Sequence, residues 1–209
     1  TIIREIESLQ HKNESLWKIY GLGLQAQIEG LIFTDIEIID EIPDHVKMNH
    51  IGIDFGYSCD PTAIVDTGIY GECLYIDEIC YRTYMLTSDI IKELKPYYPK
   101  KVIAESADPR LIQEIRNAGI NIKPVKKSNG SIKEGITKML EYKICVTKQS
   151  ANVIKEFKNY TYEQDSNGKW LNEPIDAFNH AIDAIRYVIL ETVLGKNRKN
   201  QNVADLFGY

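Results

Sequence analysis

Cysteine is scarce: Cys59, Cys73, Cys80 and Cys145 are the only four in 209 residues, and no two form a C-x-x-C pair. This spacing excludes a zinc ribbon or finger and argues against a disulfide framework, so the chain suits a reducing compartment. No apolar run approaches the roughly 18–20 residues of a membrane-spanning helix. Residues 1–7 lack the basic-then-apolar pattern of a secretory leader. The G-x-x-x-x-G-K-[ST] phosphate loop is also missing. With 44% apolar and 26% charged residues, the composition excludes collagen-like, low-complexity and disordered classes. A chain of this length makes one sizeable domain, or one domain with a short appendage, and can bury well over half its unfolded surface.

The net charge of −5 argues against a generic nucleic-acid binder, but it hides a split. Residues 1–95 hold 7 Lys/Arg against 17 Asp/Glu, whereas residues 96–159 hold 13 against 6. The basic segment is densest at Lys123, Lys126, Lys127, Lys133 and Lys138. Composition alone leaves two meanings open, a solvated lysine face or a phosphate-attracting patch.

Along the chain, residues 1–20 read as a polar, partly helical lead-in broken by Gly21, Gly23 and Gly30, and residues 31–42 pair as a strand before Pro43. Strands are expected at 49–56, 63–70 and 73–81, the last two joined by a hairpin at Tyr70-Gly71-Glu72. The rhythm then changes to alternating helix and strand. Helices are expected at 88–98, 109–118, 131–142, 152–159 and 176–194, and strands at 101–105, 121–125 and 144–146. Ser131 with Glu134 suggests a capping box, and Asp165-Ser166-Asn167-Gly168 a hairpin tip. Three antiparallel strands followed by helix–strand alternation build a mixed sheet with helices on both faces. The expected architecture is therefore α/β: a ribonuclease H-like, five-stranded central sheet.

Candidate chemistry sits on carboxylates. In Gly52-Ile53-Asp54-Phe55-Gly56, side chains alternate, so Ile51, Ile53 and Phe55 share the core face while Gly52, Asp54 and Gly56 share the other. The glycines are expected to leave open space around the acid. Glu105 ends the fourth strand; if that strand runs parallel beside the first, both acids emerge at the carboxyl edge, where open α/β sheets place their sites. Asp108 competes for this role but suits the cap of the next helix. Asp176, His180 and Asp183 recur at i, i+4 and i+7 on the last helix, with Asp183 and His180 directed at the strand-end acids. Neighbouring carboxylates repel unless a cation neutralises them, and Mg²⁺ or Mn²⁺ prefers such hard oxygens. Three acids from two strands and a helix suit two divalent ions about 3.5–4 Å apart, a geometry for in-line displacement at phosphorus.

These residues resemble the nuclease domain of the large terminase subunit of tailed bacteriophages. The resemblance is carried by Tyr20-Gly21-Leu22-Gly23 with Gly30-Leu31-Ile32-Phe33; Gly52-Ile53-Asp54-Phe55-Gly56 with Asp60-Pro61-Thr62-Ala63; and Glu105-Ser106-Ala107-Asp108-Pro109-Arg110. Ser131-Ile132 with Gly135-Ile136 and the run from Asn179 to Tyr187 complete it, over roughly residues 20–190. It implies a metal-dependent endonuclease that cuts concatemeric double-stranded viral DNA during packaging, with two divalent cations. It implies Asp54, Glu105 and Asp183 as the catalytic, metal-holding acids, with His180 and Asp60 supporting the metals. Glu105 departs from the family's frequent Asp but keeps the chemistry. In the expected mechanism Asp54 bridges both ions, Asp183 holds the ion that activates water, and Glu105 holds the ion at the leaving 3′-oxygen. Lys126, Lys127, Lys133 and Arg110 are expected to hold the DNA backbone.

The resemblance also implies a portal and a small terminase subunit as partners, a packaging ATPase domain in the same full-length chain, no membrane, and a location in the host cytoplasm. On this view residues 1–20 are the end of a linker from that ATPase, residues 21–195 the nuclease domain, and residues 196–209 a polar tail. Other classes remain open at this point: a junction resolvase or transposase of the same fold, a non-catalytic docking module, or an actin-like kinase whose first phosphate loop looks like residues 51–56.

Overall fold

The computed structural model describes residues 29–195. The expected linker at 1–20, the glycines at 21 and 23, and the tail at 196–209 lie outside the described residues.

The many β-branched residues of the first half, in the runs 50–54, 62–70 and 73–82, produce the expected meander. Strand β2 (His50–Asp54) pairs antiparallel with β3 (Thr62–Tyr70), which pairs antiparallel with β4 (Cys73–Arg82). The helix–strand alternation that follows adds parallel strands. Strand β5 (Lys101–Ala104) lies beside β2, and β6 (Ile122–Pro124) beside β5. Strand β7 (Lys143–Thr147) joins β4 on the other side and is flanked by β1 (Ile36–Ile39). The order is β1-β7-β4-β3-β2-β5-β6. The mixed sheet therefore has the expected plan but seven strands rather than five, because β1 and β6 extend its two edges. Of the strand expected at 31–42, Ile36–Ile39 pairs in the sheet. A separate hairpin, β8 (Tyr162–Gln164) with β9 (Trp170–Pro174), turns at the expected 165–168 tip.

Helices cover both faces. Helix α1 (Thr87–Leu94) and α2 (Pro109–Asn117) bury Ile90, Leu94, Ile112 and Ile115 against Ile51, Ile53 and Ile64. Helix α2 begins as expected, with Pro109 in its first turn and the Asp108 carboxylate accepting from the amides of Arg110 and Leu111, each at 3.1 Å. On the opposite face lie α3 (Ser131–Met139), α4 (Ala151–Phe157) and α5 (His180–Ile189), with Ile136, Phe157, Ile182, Ile185 and Ile189 in one core. The capping box at Ser131 does not form. Gly130 holds the cap position in a left-handed conformation, φ 83°, and Ser131 is already the buried first residue of the helix. The last helix starts later than expected, at His180, and ends in a π-helical turn, Leu190–Leu194.

Helix α5 is buried nearly all round, from Ala181 to Ile189 with only Asp183 partly open. It can sit so deep because Gly52 has no side chain. A Cβ at Gly52 would lie 2.1 Å from the Ala184 carbonyl oxygen. The open space expected beside Asp54 is therefore occupied by helix backbone. Gly56 is likewise closed off, since its Cβ would meet the Asp60 and Pro61 carbonyls at 2.4 and 2.5 Å. The glycines serve close packing, which brings the helix side chains within reach of the strand-end acid. Gly52→Ala is expected to push α5 off β2 and lower stability by at least about 1–3 kcal/mol, the usual range for overpacking a core. Urea unfolding of the variant beside the parent measures it, and an unchanged midpoint would mean that the helix is not seated on this glycine.

Candidate functional site

Register builds the centre of the site. Ile53 of β2 stands opposite Ala104 of β5, and the Glu105 amide donates to the Ile53 carbonyl at 3.1 Å. Asp54 and Glu105, the next residues, thus emerge together at the carboxyl edge of two parallel strands. Helix α5 crosses above them and supplies His180, Asp183 and Tyr187. All five line one cavity of about 470 Å³, together with Asp60, Lys127, Asp176, Asn179 and Arg186.

Of Asp54, Glu105 and Asp183, Asp54 is the most enclosed, 8% exposed. The Tyr187 hydroxyl donates to its Oδ1 at 3.0 Å and also lies 3.4 Å from Asp183 Oδ2. On the other side, His180 Nδ1 lies 3.3 Å from Asp54 Oδ2, while its Nε2 is 3.7 Å from the exposed Asp60. Burial pushes the Asp54 carboxyl above its ordinary value, and the charges of Asp183 and Glu105 add to the rise. The hydrogen bonds from His180 and Tyr187 pull it partly back. Burial, with the neighbouring acids, raises the Tyr187 phenol too, so it remains a donor.

The other two acids are held by internal cations. Arg186 forks onto Asp183, Nε to Oδ1 at 3.0 Å and Nη2 to Oδ2 at 2.8 Å. The Arg186 side chain is 2% exposed, and its stem runs over Gly135 of α3, where a Cβ would lie 2.4 Å from Arg186 Cγ. That glycine is the channel for the arginine. Lys127 reaches Glu105 at 2.5 Å and stands 4.7 Å from the Tyr187 ring centroid. Among the described residues, no three carboxylate, imidazole or thiol groups converge tightly enough to hold a metal ion as they stand. The donor set nevertheless has the chemistry of a hard-cation site: three carboxylates and an imidazole on one cavity, with burial first and then repulsion from its neighbours raising Asp54.

Asp176 is not on the last helix. It precedes it and accepts from the Asn179 side chain at 3.0 Å, so the i, i+4, i+7 face reduces to His180 and Asp183. The acid that caps the helix is Glu156 of α4. It is 1% exposed and accepts from the amides of Ala181 and Ile182 at 2.8 and 3.0 Å and from the Tyr81 hydroxyl at 2.8 Å. Burial raises its carboxyl, and these bonds with the nearby His180 draw it back. Sequence reasoning missed Glu156, Tyr187 and Arg186. The helical spacing of Asp183, Arg186 and Tyr187 was the available signal for two of them, whereas nothing local marks Glu156.

The basic segment is largely internally paired. Besides Lys127, Lys123 pairs with Glu191, Lys133 with Glu173 of β9, Lys138 with Glu141 and Lys143 with Glu37. Lys126 is exposed on the loop before α3, and Arg110 is exposed at the start of α2.

A family model described as "Terminase RNAseH like domain" matches residues 54–191. The chain is 32% identical over 202 residues to the large terminase subunit of Bacillus phage SPP1, an alignment covering 88% of this chain and 46% of that protein. It is 29% identical over 202 residues to the PBSX phage terminase large subunit of Bacillus subtilis (strain 168), covering 90% and 46%. The chain thus spans about half the length of these curated relatives. Among solved structures, the large terminase nuclease domain of bacteriophage SPP1 with bound Mn superposes at a TM-score of 0.68 and 28% identity, covering 75% of this chain and 96% of that one.

The Asp54 hydrogen bond raises the His180 imidazole above its ordinary 6.5, against the opposing effect of burial. A raised histidine stabilises the fold fully below the unfolded value, and that stabilisation is lost as pH rises through the folded value. In chelator, two-dimensional NMR is expected to show His180 titrating above 6.5, and Asp54→Asn is expected to bring it down. A His180 titration unmoved by that substitution would break the assigned pair.

Proposed function

Because the chain belongs to the terminase RNase H-like domain family, we propose that its acidic cavity is the active site of a divalent-metal-dependent DNA endonuclease. The observation that carries this reading is the meeting of Asp54, Glu105 and Asp183 at the carboxyl edge of β2 and β5 under α5. The SPP1 relative's nuclease domain, solved with manganese, supports a divalent cation as the partner of these acids.

Asp54, Glu105 and Asp183 are the residues we assign to hold two ions, with His180 and Asp60 beside them. Divalent ions in such a site supply Lewis-acid neutralisation of phosphoryl charge and a lowered pKa for the attacking water. The chain's own groups prepare the place. Tyr187 and His180 orient the two oxygens of Asp54. Arg186, fixed by its packing over Gly135, holds Asp183 in one orientation. Lys127 neutralises Glu105 and is the partner that can leave, because its side chain is 33% exposed against 2% for Arg186. Released toward solvent, Lys127 becomes a phosphate contact, joined by Lys126, Lys133 and Arg110 along the DNA backbone.

In the larger protein, the reading is a packaging nuclease that cuts concatemeric double-stranded viral DNA in the host cytoplasm. It would be coupled to an ATPase domain of the same full-length chain, with the portal and small terminase subunit as partners. Residues 1–20 are then linker, 21–195 nuclease domain and 196–209 a tail.

Plasmid nicking and linearisation with Mg²⁺, Mn²⁺ or chelator tests the site. Cutting is expected only with metal, and Asp54→Ala and Asp183→Ala are each expected to lose at least about a hundredfold, since even residues that merely support metal ligands cost 10–100-fold. Mn²⁺ is also expected to raise the unfolding temperature of the parent and not of Asp54→Ala. Cutting that survives both substitutions would refute the assignment. No cutting and no thermal shift would favour a docking module of the packaging motor.

A further inference from the structure

The acidic cavity continues past Phe55, Asp60 and Glu105 into a second groove of about 860 Å³. Its walls are the turn after β2 and the first turns of α1 and α2. Tyr57, 55% exposed, lines this groove, and Tyr84, 66% exposed and next in the chain to the lining residue Met85, packs against it from outside. Their rings meet edge to face, centroids 5.7 Å apart and planes at 73°. The Tyr84 amide donates to the Tyr57 carbonyl at 2.6 Å, tying the loop after β4 to the loop after β2. Tyr84 holds this place in a left-handed backbone conformation, φ 56°, which a residue with a Cβ adopts only under constraint. So much surface on two large rings gives the core little, and the strained backbone keeps one of them presented. Across the groove, Arg110 is exposed, while the Asp108 carboxylate is turned back onto the amides of α2.

We propose that Tyr57 and Tyr84 form a stacking platform for an unpaired base of the DNA strand that crosses the acidic site, with Arg110 on a phosphate of that strand. The proposal rests on the nuclease reading above and adds a preference to it. The edge-to-face pair offers a base one open ring face buttressed by the other ring. Aromatic faces attract every base, without regard to sequence. A base inside an intact duplex has no free face, so this platform favours DNA that is locally opened next to the cut. Because the groove shares Phe55, Asp60 and Glu105 with the acidic cavity, the occupant we assign is the same strand, beside the phosphate under attack.

The test uses the 209-residue chain with Asp54→Asn to stop cutting. Single-stranded oligonucleotides, bulged duplexes and paired duplexes carry 2-aminopurine at successive positions, read by fluorescence quenching and anisotropy. With both tyrosines present, quenching is expected at one or two adjacent positions. Tyr57→Leu with Tyr84→Leu is expected to abolish it and to weaken bulged and single-stranded binding roughly fivefold or more, leaving paired duplex unchanged. The corresponding Phe pair is expected to behave as the parent, because the ring and not the hydroxyl is needed. Leucine avoids β-branching at the left-handed position, and Tyr57→Leu alone gives the same comparison if the double variant unfolds.

Retained quenching in the leucine variants, no quenching with the tyrosines present, or equal weakening on paired and opened DNA would each overturn the platform. Plasmid cutting by the chain with Asp54 intact separates the two readings. Cutting without quenching removes the platform alone, and quenching without cutting removes the nuclease and leaves the platform.

Discussion

The structure depends on how close one helix comes to one strand. Backbone meets backbone where α5 lies on β2, at a separation that admits no Cβ at Gly52. From that contact the site follows. Asp183 and Tyr187 are one helical turn apart and hang over the end of the strand that carries Asp54. A helix seated farther out would leave the Tyr187 hydroxyl short of Asp54 and the strand-end acid open to water. The isoleucines on both sides of the sheet then act as bearings for this contact, and the deep burial of α5 keeps it from tilting.

The electrostatics build on the same seating. Three carboxylates within one cavity would repel, and the molecule answers with a different device for each. Asp54 is buried and given two hydrogen-bond partners, Asp183 is forked by a fully enclosed arginine, and Glu105 is met by a lysine that solvent can reach. These differ in how readily they yield. The buried arginine is held by packing along its stem, so moving it would open a gap over Gly135 and strand Asp183. The lysine on its loop loses little when it turns outward. Charge in the cavity is thus adjustable at Glu105 and set at Asp183.

Much of the fold was legible in the sequence because strands and helices announce themselves by period. The parity of residues 51–56 placed Ile51 and Ile53 inward and Asp54 on the opposite face, and the alternation after residue 87 foretold parallel neighbours, which put Glu105 beside Asp54. What the sequence hid was anything decided by tertiary approach. An empty side-chain position looks the same whether a ligand or a helix fills it, and at Gly52 it is the helix. The lysine-rich segment looked like a free patch because its partners, Glu191, Glu173, Glu37 and Glu105, come from distant parts of the chain. The cap expected at Ser131 failed because the chain reverses one residue earlier, in a left-handed glycine. The seven-stranded sheet exceeds the expected five although the strands at both edges, within 31–42 and 121–125, were legible, because period marks a strand but not the neighbour it pairs with.

The carboxylate of Glu156 has a wider consequence. It binds the first amides of α5 from 25 residues upstream, so the two ends of the excursion that carries β8 and β9 are pinned to each other by a buried bond. Whatever lies between them hangs from a closed clasp. Once a loop's ends are fixed, doubling its length costs only about 0.6 kcal/mol of closure entropy. The hairpin from residue 162 to residue 174 is therefore a slot: between the core residue Tyr160 and the cavity-lining Asp176, hairpins of other lengths can be carried without loosening the helix that holds Asp183.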